Sequence, residues 1–118
     1  MTTPRAPHEL QASGRRLWHA VMGEYELEEH ERQLLLEMAR TADALDRLAA
    51  IVAAEGDLAD AVGGGRKVHP ALVEARQLRI GFARLSAALR LPAGEEDDAL
   101  RRPQRRAIRG VYSIRAAS

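Results

Sequence analysis

The chain has 118 residues, a formal net charge of +1, 46% hydrophobic and 3% aromatic residues, and no cysteine. That length makes one domain with a limited core the default, and the absence of cysteine excludes disulfides and thiolate zinc sites and fits a reducing cytoplasm. No apolar run reaches the ~18 residues of a membrane span, and residues 1–11 lack the apolar stretch of a secretory signal, so no membrane partner is expected.

Ala, Leu, Arg and Glu dominate and β-branched residues are few, which predicts an all-α fold. Residues 1–9 hold two prolines and no periodicity and read as a mobile arm, followed by a helical domain over 10–92 and a tail over 93–118. A short helix is expected over about 13–22, with Ser13 as its N-cap, Leu17, Trp18, Val21 and Met22 on its apolar face and Gly23 at its end. Tyr25 and Leu27 fall in the connection. A long helix over about 28–55 follows, with Glu28, Glu29 and Glu31 favouring the positive end of its dipole. Leu27, Leu34, Thr41 and Leu48 recur every seven residues beside Met38, Leu45 and Val52, and Leu35, Ala42 and Ala49 widen this stripe, as in coiled-coil packing.

Gly56 ends that helix. In the loop 56–68 a short β-hairpin, Leu58 to Val62 against Arg66 to Val68, is one reading of the glycine run 63–65. Pro70 suits the first position of a second long helix, expected over 70–91 and stopped by Pro92, with a seam of Ala71, Ala75, Leu78, Phe82, Leu85 and Leu89. The two long helices are expected to form an antiparallel hairpin. The small residues Gly81, Ala83, Ala87 and Ala88 leave the second helix a face for a neighbouring subunit. Pro103 interrupts the tail, which reads as disordered alone or folded on a partner.

Charge is strongly segregated: −8 over 24–60, +5 over 61–94, −4 over 95–98 and +6 over 99–118. Such asymmetry speaks of partners, and it also allows the acidic segment to pack beside the basic ones. Three basic patches are candidate phosphate sites. They are Arg15 and Arg16 with Arg5 of the arm; Arg66 and Lys67 of the loop with Arg76 and Arg79 of the following helix; and the tail arginines Arg101, Arg102, Arg105, Arg106 and Arg109. No aromatic residues interleave them, so stacking on single-stranded bases is not indicated.

Signals for catalysis are weak. No two of His8, His19, His30 and His69 stand three or four residues apart, and the pair His30-Glu31 meets Leu34 where a zinc-protease motif needs histidine. The run Gly63-Gly64-Gly65-Arg66-Lys67 lacks the spacing and the following Ser or Thr of a phosphate loop. The carboxylates of 24–31 read as a solvated first turn sooner than as Mg²⁺ ligands. No enzyme activity, metal or cofactor is expected, and interaction is the remaining category.

The order Leu10-Gln-Ala-Ser-Gly-Arg-Arg-Leu-Trp18, Tyr25-Glu-Leu27, Leu34-Leu35 and Ala39-Arg-Thr-Ala-Asp43 with Leu45 and Leu48, then Val68-His69-Pro70 with Leu72, Glu74, Arg76 and Arg79 and Leu85 to Pro92, resembles the small terminase subunits of tailed double-stranded DNA phages. It covers residues 10–92, and its specificity lies in order and spacing. The resemblance implies a non-enzymatic, ring-forming homo-oligomer in the host cytoplasm. Such a protein recognises the packaging-initiation site on double-stranded viral DNA and recruits or regulates the large ATPase/nuclease subunit. It further implies N-terminal helices that contribute to DNA contact, a hairpin that builds the ring, and a tail that reaches the large subunit or DNA. Two rival readings stand beside it: a helical adaptor that binds only protein, and a transcriptional repressor or antitoxin using the first helix, the turn and the second helix as a helix-turn-helix corner.

Overall fold

The computed structural model describes residues 5–92 and the backbone of residues 104–105. Mainly helical, the chain runs α1 (Ala12–Glu24), β1 (Tyr25–Glu26), α2 (Glu29–Glu55), β2 (Leu58–Asp60), β3 (Arg66–Val68), α3 (Pro70–Leu89) and β4 (Gln104–Arg105). With 27 residues, α2 is about 40 Å long, and both α1 and α3 pack against it.

Local chemistry sets the ends of α2. Glu28 and Glu31 form a reciprocal capping box: the Glu28 N–H donates to Glu31 Oε1 at 2.7 Å, and the Glu28 carboxylate accepts from the Glu31 N–H. Gly56, at φ 88°, ends the helix with its N–H on the Val52 carbonyl. A three-residue ladder then pairs Leu58 with Val68, Ala59 with Lys67 and Asp60 with Arg66. The first strand stops at Asp60, not at Val62. The glycines at 63–65 all hold φ between 80° and 103°, a region closed to most side chains, and Val62 lies fully exposed in the turn they make.

α3 runs back along α2. Its first turn bonds to Glu55 through His69, while Leu89 at its far end is buried with Leu35 and Met38 of α2. It ends at Leu89, two residues before the expected boundary. Arg90 adopts the left-handed conformation (φ 59°, ψ 44°), which turns Leu91 back onto the core.

The core sits at one end of this pair. Leu10, Met22, Leu35 and Leu89 are its fully buried large side chains, joined by Ala6, Trp18, Val21, Tyr25, Met38 and Ala39. Burial of each large side chain contributes about 1.5–3 kcal/mol. Toward the sheet the seam thins: Leu45, Leu48 and Val52 are half-buried and Ala49 is exposed. Ile51, Leu58, Val68, Val73 and Ile80 stand 38–48% exposed.

Three expectations about the N-terminal part are corrected. Residues 5–9, read as part of a mobile arm, lie against the helices: Ala6 is buried and Glu9 pairs with Arg40 at 2.9 Å. Leu10, which follows that segment two residues before α1, anchors it in the core. Nor is Ser13 the N-cap, because α1 begins at Ala12 with Gln11 as a cap residue that makes no side-chain cap bond. The capping acceptor comes from Asp43 of α2. Its Oδ2 accepts from the Gln11 N–H and its Oδ1 from the Gly14 N–H, both at 2.7 Å. Two charge-assisted bonds at the positive end of a helix dipole outweigh one local hydroxyl. Ser13, freed from capping, donates its hydroxyl to Asp46. Gly23 does not stop α1 either. The helix continues to Glu24 and ends where Tyr25 turns extended (φ −122°, ψ 152°), with its buried ring in the core and its hydroxyl donating to the Pro92 carbonyl at 3.2 Å.

Candidate nucleic-acid interface

The first basic patch is carried on α1. Arg15 and Arg16 are exposed and adjacent, so they point in directions about 100° apart around the helix. Arg15 braces the preceding segment, its guanidinium donating to the carbonyls of Leu10 at 2.7 Å and His8 at 3.5 Å. Arg16 donates to Ser13 Oγ at 3.0 Å. Through the Asp43 cap, both lie beside the middle of α2. Arg5 is exposed on the segment ahead of them.

Of the second patch, Arg66 and Lys67 are at the sheet end, about 18 Å further along α2 by the rise from Asp43 to Glu55. Cross-strand pairing sets Arg66 opposite Asp60, with Nε 3.9 Å from the carboxylate, and its guanidinium also donates to the Leu58 carbonyl at 3.2 Å. Lys67 faces Ala59 in the ladder and points to the other side of the sheet from Arg66. Arg76 and Arg79 are exposed on α3, three residues apart and so on one helix face. Arg66 and Lys67 thus sit at the sheet end on opposite sides of the ladder, while Arg76 and Arg79 lie about 9 and 14 Å along α3 from Pro70, toward the middle of the hairpin.

Of the tail arginines, Arg105 has its backbone in β4, which pairs antiparallel with β1: Tyr25 opposite Arg105 and Glu26 opposite Gln104. Arg101, Arg102, Arg106 and Arg109 lie outside the described residues.

His69 has a structural task. Its ring is buried, with Nδ1 accepting the Ala71 N–H at 2.9 Å as the N-cap of α3 and Nε2 2.7 Å from Glu55 Oε1. An acceptor at Nδ1 places the ring proton on Nε2, which donates to Glu55. Pro70 follows at the first helical position, where no N–H is needed. The pair His69-Pro70 is thus a helix start stitched to the end of α2. Replacing His69 by alanine is expected to cost about 1 kcal/mol, within the range for a lost N-cap, and His69→Asn to recover most of it, measured as the urea midpoint. Equal loss in both variants would place the role of His69 in packing and not in the cap.

Around this stitch a shallow polar groove of about 270 Å³ is lined by Glu55, Leu58, Ala59, Asp60, Arg66 and His69. Among the described residues no group of three His, Asp or Glu is placed to hold a metal ion. No described helix is long and apolar enough to cross a membrane.

Electrostatics elsewhere are those of exposed side chains. The Arg40 guanidinium, hydrogen-bonded to Glu9, holds that carboxyl below its usual range, and the Gln33 amide followed by the Arg32 charge does the same for Glu29. Folded-state pKa values lowered in this way stabilise above the ordinary carboxylate range, an effect lost as pH falls through the lowered value. The helix after the α1–α2 turn opens with Glu29 and Glu31, carboxylates where a major-groove recognition helix carries donors to bases and phosphates.

The residues that sequence reasoning missed as a unit are Gly14, Asp43, Ser13 and Asp46. The available signal was a glycine beside a helix start together with an acid on the seam side of the long helix. No family model, curated protein or solved structure matches the chain.

Proposed function

We propose that the chain is a DNA-packaging small terminase subunit, a ring-forming protein without catalytic chemistry that binds double-stranded viral DNA through its basic patches and engages the large ATPase/nuclease subunit. The observation that carries this reading is the ordered series Gly14-x-x-Leu-Trp18, Tyr25-x-Leu27, Ala39 to Asp43 and His69-Pro70. The residues of that series join one element to another: Gly14 with Asp43, Tyr25 with Pro92, His69 with Glu55. A shared order of such residues therefore speaks for a shared architecture and not for composition alone. Self-association in this reading would use the long helices, where Ile51, Val73 and Ile80 are 38–47% exposed. Arg66, Lys67, Arg76 and Arg79 are the phosphate-binding residues in this reading, with Arg15 and Arg16 as a second set.

Light scattering at micromolar concentration, combined with mobility shift on a duplex, tests it. The expected result is a large cyclic oligomer and a salt-sensitive complex. Each phosphate contact removed by alanine at Arg66, Lys67, Arg76 or Arg79 lowers the slope of log K against log salt by about 0.9. A stable monomer, or no DNA binding at about 50 mM salt, overturns the reading. Monomeric protein that binds other proteins through the exposed apolar residues would favour the adaptor, and a dimer on a short palindrome the repressor or antitoxin.

A further inference from the structure

Opposite charges along the chain neutralise one another only in part. Among the described residues, Asp60–Arg66 and Glu55–His69 are the acid–base side-chain contacts that join the stretch 24–60 to the stretch 61–94, and both sit at the sheet end. Arg15 and Arg16 bond to acceptors beside them, and Arg32 and Arg40 pair with carboxylates. Arg76, Arg79 and Arg84 of α3 differ. All three are exposed, and none has a hydrogen bond or ion pair among the described residues. The one acid on α3 is Glu74.

The helical register sets these arginines around an apolar line. At about 100° per residue, Val73, Ile80 and Ala87 fall on one side of α3, about 180° from Ala75, Phe82 and Leu89 of the seam. Val73 and Ile80 are 47% and 44% exposed. Arg76 and Arg84 stand on either side of the line, about 12 Å apart along the axis, with Arg79 beyond Arg76 around the helix. Glu74 is turned about 100° from the line. Phosphates would answer the arginines and leave the apolar line in water. A bilayer surface calls for larger apolar groups than Val, Ile and Ala. A second helix with its own apolar line, flanked by carboxylates, covers both features: helices pack about 8–10 Å apart, and guanidinium groups take carboxylates in paired bonds.

We propose that the outward face of α3 docks an acidic amphipathic helix of another protein, its apolar line on Val73 and Ile80 and its carboxylates on Arg76, Arg79 and Arg84. This is helix-on-helix recognition in which charge selects the partner. The docking does not depend on the terminase reading. Because that reading gives Arg76 and Arg79 to phosphate, the two together require the helix and duplex DNA to exclude each other.

A synthetic helix is the probe: about 20 residues, with leucine at alternating third and fourth positions, glutamate on the flanks and alanine elsewhere. Its binding to the full chain is read by fluorescence anisotropy. It is expected to bind at least about tenfold tighter than the same residues in scrambled order, which keep the charge and lose the line. Ile80→Asp is expected to weaken it by about tenfold or more. Arg84→Ala is expected to weaken it about threefold with a shallower salt dependence, while Arg47→Ala, at an exposed site on α2, leaves it unchanged. Urea midpoints equal to that of the parent establish that the variants fold. Equal binding of the scrambled peptide, or indifference to Ile80→Asp and Arg84→Ala, overturns the proposal. Binding only after Glu95, Glu96, Asp97 and Asp98 are replaced by their amides makes the chain's own acidic run the occupant, and binding only at dilutions where the protein is monomeric makes it a second copy. Either result overturns docking of a separate partner. A peptide that docks while duplex DNA stays bound counts against the use of Arg76 and Arg79 in the terminase reading and not against this site.

Discussion

Gly14→Ala is expected to destabilise the protein by about 2–4 kcal/mol, the reverse of what alanine does inside most helices. Alanine is ordinarily favoured over glycine in a helix interior by about 1 kcal/mol. Here a Cβ on residue 14 would lie 2.5 Å from Asp43 Oδ2 and 2.6 Å from the Ala39 carbonyl oxygen. The second of these is backbone of α2 and has no rotamer to escape into. Either α1 lifts off α2, or Asp43 swings away and leaves two N–H groups and a buried carboxylate unpaired. Overpacking costs about 1–3 kcal/mol, and each buried polar group left unsatisfied about as much again. Gly23→Ala is the internal control: it is in the same helix with nothing within 4 Å of the new methyl, and it is expected to gain a few tenths to about 1 kcal/mol. Urea unfolding of the two variants reads the contrast. Equal stabilisation by both would mean that α1 does not pack on α2 in this way.

Asp43→Ala comes next, with an expected loss of about 3 kcal/mol. Asp43 is 4% exposed and accepts both backbone donors at the start of α1. Hydrogen bonds to charged groups contribute about 1.5–3 kcal/mol each, and the truncated side chain leaves a small void. Asp43→Asn keeps the shape and one carbonyl oxygen but turns an amide N–H₂ toward one of the donors, so its loss should be smaller. Combining Gly14→Ala with Asp43→Ala separates the parts. The clash with Oδ2 disappears in the double variant while the one with the Ala39 carbonyl remains, so the combined loss should fall short of the sum by a measurable coupling energy. Full additivity in the denaturation midpoints would contradict a direct contact between the two residues.

These two residues also show where sequence reading stopped. Elements whose ends are written locally were legible: α2 ends at Gly56, α3 starts after His69 with Pro70, and the glycine run carries the turn between β2 and β3. Each signal needs only residues within a few positions. The start of α1 was misread because its cap is 29 to 32 residues away on another helix, and a helix lacking a local cap gives no sign of a distant one. The packing of Ala6 and Leu10, too sparse to show a period, and the pairing of Tyr25–Glu26 with a segment nearly 80 residues later were invisible for the same reason. The basic patches were legible as charges; which of them share a surface depended on how α3 returns along α2.

The placement of the core at one end has a consequence for how the molecule yields. Backbone amides around Leu35 and Met38 are covered by α1 and α3 together and should exchange with solvent only through global unfolding. Those near Ala49–Glu55 and Pro70–Val73 belong to two helices with no third layer among the described residues and should open locally at lower free energy. Whatever engages Arg66 and Lys67 meets the less covered end of the described helices and should order it. The imprint of such a contact would be slowed amide exchange at the sheet end, more than a rise in melting temperature, which answers to the other end.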